Sequence, residues 1–343
     1  MGVPGLFKLC EFEDFSSKIK DLIDQKLTRI AVDMYVILHK FCIDVEIATL
    51  LVNDPKLYCQ ALYEKIKNWL INFINQGFDL YLVYDGNKMN FKITEEDRAN
   101  ARLAAYIKGD MIAAVEVVPE QMYNLQHYIA DLNLPFIVAP FEADAELAYL
   151  FKQNKVDMVL TNDSDLIVYG VTRIIYIKPT KTALDWYEHK HIDEKEKAKK
   201  VNELPLEWLW LFGYFVGCDY FRGIKGIGPQ KAFAMISRLT REMTTDETFT
   251  AINKSPEMKK IIQKTPVIGE LEYKKKFDQV RFVYTYQPII VPNTYELRYL
   301  TNEEIPVEKK EEFGRVFNAE KQAKGLLHPI DNKEFQLIEP QCC

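Results

Sequence analysis

Five runs rich in β-branched and aromatic residues alternate along this chain with segments whose apolar residues recur at helical spacing. The runs span residues 28–38, 78–86, 134–140, 156–163 and 172–177. The helical patterns cover residues 55–77, 94–109, 119–133 and 142–155, and continue over 203–240 with a glycine-rich interruption. Strands that alternate with helices are typical of a parallel sheet with crossover helices. The sequence therefore predicts an α/β fold with a mainly parallel central sheet flanked by helices.

Local signals mark where two of these helices begin and end. Gly77 and Gly109 follow helical patterns and are expected to terminate them, since glycine readily adopts the conformation that ends a helix. Thr94 precedes an acidic turn, and this arrangement predicts that Thr94 caps the second helix.

Size and composition fit a folded protein without a membrane span. The 343 residues allow one large α/β domain or two moderate ones, and a hydrophobic content of 48% is ordinary for a globular protein. The start MGVPGLFKLC lacks the features of a signal peptide, and no run reaches about 18 uninterrupted apolar residues. The six cysteines show no zinc-type spacing, so we expect reduced thiols in an intracellular protein. A net charge of −6 disfavours nucleic-acid binding over the whole surface but allows a local basic face.

Acidic residues are concentrated where the predicted strands end. Asp33 lies within or just after the first run, and Asp85 ends the second. The third run is followed by Glu142, Asp144 and Glu146, and the fourth by Asp163 and Asp165. Taken alone, acids in a first helical turn complement the helix dipole, and aspartates near serine are common in turns. Asp33 is harder to explain in this way, because an unpaired charge inside an apolar run is costly to bury.

Together, these acids predict a metal site. Ligands of a parallel sheet bind outside the carboxyl ends of its strands, so four segments would deliver carboxylates to one edge. Crowded carboxylates repel one another unless a cation lies among them, and oxygen ligands without His or Cys suit Mg²⁺ or Mn²⁺. Two such ions about 4 Å apart can activate water and stabilise the leaving oxygen of a phosphodiester.

A second motif, GIKGIGPQKA, suggests contact with phosphate. Gly226 and Gly228 precede Pro229, which suits the first position of a helix. Backbone N–H groups at a helix N-terminus bind phosphate, and Lys225 and Lys231 would add positive charge. A glycine pair is often only a turn, but this one closely follows a further acid, Asp219.

These motifs resemble the structure-specific 5′ nucleases, a family that includes flap endonuclease, exonuclease 1, the XPG repair nuclease and a junction resolvase. The likeness runs in order through MGVPGL, AVDMYVILHK, VYDG, APFEADAELAYL, TNDSDLIVYG and GCDYFRGIKGIGPQKA, over about the first 240 residues. It implies a PIN-like nuclease core with a helical cap and a helix-two-turn-helix DNA-binding element. It also implies cleavage of DNA near a 5′ end or a single-strand/double-strand junction with two Mg²⁺ ions, for which Mn²⁺ substitutes.

The resemblance assigns roles to individual residues. The implied metal ligands are Asp33, Asp85, Glu142, Asp144, Asp163, Asp165 and Asp219. Gly2 would pack beside the active site after removal of Met1, and the Gly226–Gly228 hairpin would grip duplex backbone, often through a bound K⁺. Lys92 matches the cap lysine that reaches the scissile phosphate. The matching cap arginine falls on Ala99, between Arg98 and Arg102; we assign it to Arg98, and the alternative is that both arginines are solvated.

The chain departs from the family pattern in two places. The segment from Asp85 to Glu142 is shorter than in flap endonuclease or exonuclease 1, which predicts a trimmed cap and does not support a closed threading arch. The C-terminal residues contain no clear sliding-clamp motif and no long disordered tail.

His39 favours the exonuclease 1 branch, since it occupies a position where flap endonucleases carry Tyr. A ring here could stack on a terminal base; the alternative is a packed helix residue beside Phe41. We expect a 5′→3′ exonuclease on duplex DNA with flap endonuclease activity, acting on 5′ ends, nicks, gaps or flaps in nuclear DNA repair, replication or recombination. The alternatives are a flap endonuclease proper, a PIN-type ribonuclease, which would not explain the hairpin, and an inactive DNA-binding relative.

The resemblance also suggests a domain organisation. We expect a single nuclease domain over residues 1–290 in a monomer, with no membrane partner. Within it lie an N-terminal region (1–90), a cap (about 88–118) and an internal region (119–240) that contains the helix-two-turn-helix (about 213–240). Residues 291–343 are expected to form an extension that packs on or trails from the core.

Overall fold

The computed structural model describes most of the chain. The described residues are 2–44, 46–47, 50, 54–90, 92–110, 112–178, 183–190, 198–239, 243–264, 270–301, 305, 312–314, 316, 318–327 and 333.

The centre of the molecule is a seven-stranded, mostly parallel sheet. Its strands are β1 (Glu13–Asp14), β2 (Arg29–Asp33), β3 (Asp79–Tyr84), β4 (Phe136–Val138), β5 (Met158–Thr161), β6 (Arg173–Ile177) and β7 (Leu184–Glu188). They lie in the order β1-β7-β6-β5-β2-β3-β4, and a two-stranded sheet pairs β8 (Pro288–Ile290) with β9 (Leu297–Tyr299). The strands β4, β3, β2, β5 and β6 run parallel, while β7 and β1 are antiparallel additions. The predicted α/β class with a mainly parallel sheet is confirmed.

Helices cover both faces of the sheet. Those of the first half are α1 (Ile19–Asp24), α2 (Met34–Cys42), α3 (Pro55–Asn75), α4 (Thr94–Ile107), α5 (Pro119–Tyr128), α6 (Ala143–Lys152) and α7 (Asp165–Val168). Those of the second half are α8 (Leu211–Val216), α9 (Pro229–Ile236), α10 (Thr245–Lys254), α11 (Pro256–Lys264), α12 (Glu270–Tyr286) and α13 (Ala319–Ala323). No helix among the described residues is long and apolar enough to cross a membrane.

The two faces of the sheet bury different sets of side chains. Ile30 and Val32 of β2 pack in one apolar cluster, whereas Ala31 between them packs in the other. Successive side chains of a strand point to opposite faces, so the unbroken apolar runs of the sequence reflect a sheet buried on both sides.

The prediction that residues 28–38 form one strand is wrong. Only the first part is β2; the chain turns at Asp33 and continues as α2. The Asp33 carboxylate accepts a hydrogen bond from the Val36 backbone N–H at 3.2 Å, so it caps the first turn of that helix. Apolar residues continue across the boundary because both elements are buried, and this continuity hides the turn.

The prediction that Thr94 is the N-cap residue of α4 is also wrong. Thr94 is the first helical residue, and its hydroxyl is buried without a hydrogen-bond partner among the described residues. The helix α4 buries none of its side chains, so it lies over the rest of the molecule as an exposed cap. Gly77 and Gly109, in contrast, follow α3 and α4 with positive φ as expected.

Candidate metal centre and nucleic-acid interface

The acids predicted to meet at one sheet edge do lie at the carboxyl ends of four neighbouring strands. Asp33 is the last residue of β2, Asp85 follows β3, Glu142 directly precedes α6 after β4, and Asp163 follows β5. They open onto a cavity of about 1080 Å³, whose acidic lining residues include Asp33, Asp85, Glu142, Asp144, Asp163 and Asp219. The parallel topology therefore converts four distant sequence segments into one acidic surface.

Three of these acids form a tight group. Asp144, Asp163 and Asp165 each offer a carboxylate oxygen, and these oxygens lie within 4.8 Å of one another. Burial raises the pKa of all three carboxyls, and the charge of Asp163 raises the pKa of Asp144 and Asp165 further. Asp165 Oδ1 is buried without a hydrogen-bond partner among the described residues. A cation held by these oxygens would relieve both the repulsion and the unmet hydrogen bonding.

Asp33 and Asp85 are held in place by neutral donors. The Thr161 hydroxyl donates to Asp33 Oδ2 at 2.8 Å, and the Ala143 N–H donates to Asp85 Oδ1 at 2.7 Å. Burial, and then the charge of Asp85, raise the pKa of Asp33 to about 7; burial raises the pKa of Asp85 to about 6. These bonds orient the carboxylates, but neutral donors do not cancel their charge.

Two cations reach this edge from the cap. Lys92 forms an ion pair with Glu142 and lies 3.4 Å from Asp219 Oδ2. Arg98 Nη2 lies 2.9 and 2.7 Å from the two oxygens of Asp219. Burial alone would lower the pKa of Lys92, but the charges of Glu142 and Asp219 raise it above its ordinary value, so the ammonium stays charged. The arginine assignment thus falls on a side chain that faces the acids.

The acids consequently divide into two sets. Among the described residues, the ion pairs at this edge involve Glu142 and Asp219. Within the part of the chain that the structure describes, no Lys or Arg side chain forms an ion pair with Asp144, Asp163 or Asp165. This group is therefore the part of the edge best suited to bind a metal.

Gly2 packs directly against the acidic group. A Cβ at this position would lie 2.1 Å from Asp163 Oδ1 and 2.5 Å from Asp165 Oδ1, so a larger residue would collide with both carboxylates. The positive charge of the amino terminus also lowers the pKa of Asp163, against the larger effect of burial. Met1 lies outside the described residues.

His39 and Arg102 make no contact with the acidic group among the described residues. The His39 ring stacks on Tyr35, with centroids 6.4 Å apart, and Tyr35 lines the cavity. Burial lowers the pKa of His39, and the charge of Arg102 lowers it further, so the ring is neutral near pH 7. Arg102 also lines the cavity, but its guanidinium is bound to Glu116 at 2.6 Å.

The glycine hairpin is exposed and close in sequence to the acidic edge. Gly226 has φ +93°, a conformation that favours glycine, and nothing lies within 4 Å of a Cβ built on Gly226 or Gly228. Lys231 donates from Nζ to the Gly226 carbonyl at 3.1 Å, and Pro229 is the first residue of α9 as predicted. Lys225 is exposed. The open space on this hairpin would let a phosphate backbone approach.

Glu146, the third acid of the motif APFEADAEL, does not join the others. Its side chain is fully buried, and Oε2 accepts a hydrogen bond from the Ile290 N–H of β8 at 2.9 Å. Burial raises its pKa to about 8. This acid therefore links α6 to the small sheet.

Sequence analysis assigned no role to three side chains at the site. The hydroxyl of Tyr220 donates to Glu142, Thr161 binds Asp33, and Gln322 lines the cavity from the C-terminal region. Tyr220 and Thr161 lie within the motifs GCDYFRGIKGIGPQKA and TNDSDLIVYG, which could have suggested them. Gln322 is remote in the chain from every other site residue, and only the fold brings it there.

The mostly parallel sheet with its flanking helices is the PIN-like fold, and comparisons with known proteins agree with this. Residues 133–219 match the family model described as the XPG I-region. Exodeoxyribonuclease 1 of Schizosaccharomyces pombe is 26% identical over 369 residues, which cover 98% of this chain and 59% of the relative. Flap endonuclease 1 of Drosophila yakuba is 27% identical over 268 residues, which cover 69% of this chain and 65% of the relative. The catalytic core of Rad2 in complex with DNA substrate superimposes with a TM-score of 0.55 at 18% identity, covering 92% of this chain and 95% of that one.

The chain is therefore similar to the XPG I-region family over residues 133–219, and to an exonuclease 1 and a flap endonuclease over most of its length. The structural likeness at 18% identity supports the fold. The chain spans less than two thirds of the length of either curated relative, at 59% and 65%.

Proposed function

We propose that this chain is a divalent-metal-dependent, structure-specific 5′ nuclease that degrades duplex DNA in the 5′→3′ direction and also cuts 5′ flaps. The observation that carries the proposal is the acidic edge itself: carboxylates from four strand ends face a cavity into which Lys92 and Arg98 project from the cap. Buried acids of this number without a metal would oppose folding, whereas with one they form a site for phosphate chemistry.

The donor set fits Mg²⁺. All candidate ligands are carboxylate oxygens, which hard divalent ions prefer, and the described residues at this edge supply no His or Cys ligand that would favour zinc. Asp144, Asp163 and Asp165 would hold one ion, since their oxygens already converge and Asp165 Oδ1 lacks a partner. Asp33, Asp85, Glu142 and Asp219 would contribute to a second ion, and Mn²⁺ would substitute for Mg²⁺.

Bound divalent ions would supply an activated water and stabilise the charge on the leaving oxygen. The chain's own cations would act on the phosphate. Lys92 and Arg98 now neutralise Glu142 and Asp219, and an incoming phosphate would compete for them. The arginine fork can bind two phosphate oxygens at once, which would orient the scissile bond.

The hairpin would hold the duplex away from the site of cleavage. Its exposed glycines and the N-terminus of α9 offer backbone N–H groups to phosphate, with Lys225 and Lys231 beside them. K⁺ could join the hairpin carbonyls to a phosphate. The bond from Lys231 to the Gly226 carbonyl stabilises the hairpin in the conformation that phosphate would meet.

Exonuclease action is favoured over obligatory flap threading by the small cap. The described part of the segment between Asp85 and α5 contains the single helix α4. One helix is a short element from which to build a closed arch. The His39 ring beside Tyr35 offers a stacking surface for a terminal base. A flap endonuclease proper is the second candidate, because flap endonuclease 1 is among the relatives.

The proposal includes a biological setting and a mode of action. The partner is DNA with 5′ ends, nicks, gaps or flaps, acted on by a monomer in nuclear DNA repair, replication or recombination.

The test is a gel assay in which 5′-labelled and 3′-labelled blunt, nicked and flap duplexes are incubated with Mg²⁺ or with EDTA. Progressive shortening from the 5′ end that requires Mg²⁺ supports the proposal. Shortening from the 3′ end, or equal activity in EDTA, contradicts it.

A further inference from the structure

The C-terminal region contributes a segment to the wall of the site. We call residues 312–314 and 318–327 the C-terminal strap. Phe313 anchors it in the core, where its side chain is fully buried and its ring stacks on Phe282 with centroids 5.0 Å apart. Gln322, Gly325 and Leu327 at the other end line the same cavity as the acids. The strap therefore extends from the core to the wall of the site.

The strap meets two loops that are already joined to each other. These loops follow β3 and β4 and carry Asp85 and Glu142. The Gly86 N–H donates to the Phe141 carbonyl at 2.6 Å, and the Asn87 N–H donates to the Pro140 carbonyl at 3.1 Å. The spacing between the two acids thus depends on how these loops are held together.

Gln322 contacts both loops at their junction. Its side chain is 1% exposed, and Nε2 donates to the Ala139 carbonyl at 3.1 Å. The same nitrogen would lie only 2.5 Å from a Cβ on Gly86, so the amide packs against the Gly86 backbone. Gly86 is next to Asp85, and Ala139 is three residues before Glu142.

A second contact of the strap supports the same loops. Asn90 donates from its backbone N–H to the Phe313 carbonyl at 3.5 Å, and from Nδ2 to the Glu312 carbonyl at 3.4 Å. A Cβ on Gly314 would lie 2.8 Å from the Phe141 ring. The strap therefore touches the β3 loop and the β4 loop at two points each.

We infer that Gln322 is a positioning residue of the proposed metal centre: by bonding the Ala139 carbonyl and packing against the Gly86 backbone, it fixes the relative placement of the Asp85 and Glu142 carboxylates. This inference rests on the proposed function, since it assigns these two acids to metal binding. Outer residues that hold metal ligands in place typically change metal affinity or activity ten- to a hundredfold when substituted, although they do not touch the ion.

The burial of Gln322 allows a positioning role to be separated from a stabilising one. Its Oε1 is buried without a partner among the described residues. Replacement by Met, which is unbranched and of similar length, removes one satisfied hydrogen bond and one unsatisfied oxygen together. The effects of these two losses on stability oppose each other. Stability should change little, whereas the β4 loop loses its hydrogen bond to the strap.

The experiment compares wild type, Gln322→Met and Glu320→Gln. Glu320 lies on the same helix in an exposed ion pair with Lys324 and serves as the control. Mn²⁺ affinity is measured by electron paramagnetic resonance of the free ion, stability by thermal unfolding in EDTA, and single-turnover cleavage of nicked duplex at saturating Mg²⁺. We expect Gln322→Met to bind Mn²⁺ about tenfold more weakly and to cleave about tenfold more slowly. Its unfolding midpoint should stay within about 3 °C of wild type, and its KM for DNA should be unchanged.

The outcomes distinguish the inference from the proposed function. Mn²⁺ affinity of Gln322→Met within twofold of wild type overturns the inference, whatever the cleavage rate. Wild type that binds Mn²⁺ but cuts no DNA contradicts the proposed nuclease activity, and the Mn²⁺ affinities still decide the inference. Wild type that binds no Mn²⁺ overturns both. If Gln322→Met does not fold, Gln322→Glu, which keeps the shape and lacks the donor when ionised, is held to the same criteria.

Discussion

Arg98 of the cap helix lies 2.7 and 2.9 Å from the two carboxylate oxygens of Asp219, which belongs to the segment that leads into the glycine hairpin. The backbone N–H of Ile93, just before the cap helix, donates to the Asp219 carbonyl at 2.9 Å. Asp219 therefore fastens the cap to the floor of the acidic cavity through both its side chain and its backbone. Substrate phosphate would have to compete with Asp219 for the arginine.

This competition predicts the effect of removing Arg98. Arg98→Ala should lower the single-turnover cleavage rate about a hundredfold, because a charged donor to the developing phosphate charge is lost. Duplex affinity should fall much less, since the proposed duplex contacts lie at the hairpin. Rapid-quench kinetics on nicked duplex in saturating Mg²⁺ measure the rate, and filter binding in Ca²⁺ measures the affinity.

Arg102→Ala is the matched control, because Arg102 shares the cavity wall but is bound to Glu116. It should slow cleavage by less than about fivefold, as expected for an exposed ion pair of small energetic effect. The double variant Arg98→Ala with Ala99→Arg tests the alternative assignment of the cap arginine. Full activity in the double variant, or an Arg102→Ala defect as large as that of Arg98→Ala, would refute the assignment to Arg98.

The location of the acids could be predicted from the sequence because a buried parallel sheet leaves a strong pattern. Four of the five apolar runs contain an acid or are followed by one, and the topology of such sheets brings the carboxyl ends of neighbouring strands to one edge. The assignment of Asp85 and Asp163 to this edge needed nothing beyond these two facts. Their role in metal binding remains a prediction.

Other features could not be predicted, because they depend on tertiary contacts that leave no pattern in the sequence. The boundary between β2 and α2 is hidden, since both elements are apolar and the turn depends on one capping bond from Asp33. The strand β7 pairs antiparallel with β6 and so adds to the sheet without a parallel crossover. Gln322 reaches the site only because Phe313 anchors the strap in the core. No spacing along the chain indicates that contact.

Burial of Asp33 predicts a pH dependence of stability in the absence of metal. Burial and the charge of Asp85 raise the pKa of Asp33 from its ordinary value of 3.8 to about 7. Between these values the folded protein holds a proton that the unfolded chain has released. The free energy of unfolding therefore falls as the pH rises from about 4 to 7, by up to about 1.4 kcal/mol per pH unit. Above pH 7 this contribution is constant.

Asp33→Asn should reduce the fall in the free energy of unfolding between about pH 4 and 7. A neutral amide cannot titrate, and its oxygen can still cap α2. Urea unfolding in EDTA at a series of pH values measures the effect. Asp21→Asn, which changes an exposed carboxylate of α1, serves as the control. Parallel pH profiles for wild type and Asp33→Asn would contradict the burial argument.

The hairpin predicts a change in duplex binding without a change in folding. Gly228 has ordinary backbone angles, and a Cβ there meets no atom within 4 Å. Gly228→Val should therefore fold normally but weaken duplex binding about tenfold or more, because its side chain occupies the space proposed for phosphate. Gly226→Val should weaken binding too, with added strain from the positive φ of Gly226.

The salt dependence of duplex affinity, measured for a lysine substitution in the hairpin, tests the same surface. Lys231→Ala should reduce the slope of log affinity against log salt by about one, as expected for one lost phosphate contact. Lys20→Ala, an exposed lysine on α1, is the control. An unchanged slope for Lys231→Ala together with wild-type affinity for Gly228→Val would mean that the hairpin is only a turn.

His39 predicts a substrate-dependent defect. Its ring stacks on Tyr35 at the cavity wall and could hold a terminal base unpaired, a contact of about 1–3 kcal/mol. His39→Ala should slow degradation of blunt and nicked duplex about tenfold and spare flaps with a preformed single strand. Parallel assays of the three substrates measure the ratio. Equal slowing on all substrates, with flaps cut much faster than nicked duplex by wild type, would favour the flap-endonuclease alternative.

The most direct test of the account is metal-dependent cleavage by wild type and Asp163→Ala on a 5′-labelled nicked duplex. Asp163 belongs to the carboxylate group proposed to hold an ion, and the proposed DNA contacts at the hairpin lie elsewhere. We predict that wild type releases labelled products from the 5′ end in Mg²⁺ and none in EDTA. Asp163→Ala should be inactive in Mg²⁺ while binding the duplex within about threefold of wild type. The variant should also be more stable than wild type in EDTA, because one of several crowded like charges is gone. Asp163→Ala activity within tenfold of wild type at saturating Mg²⁺ would contradict the metal centre and the proposed function with it.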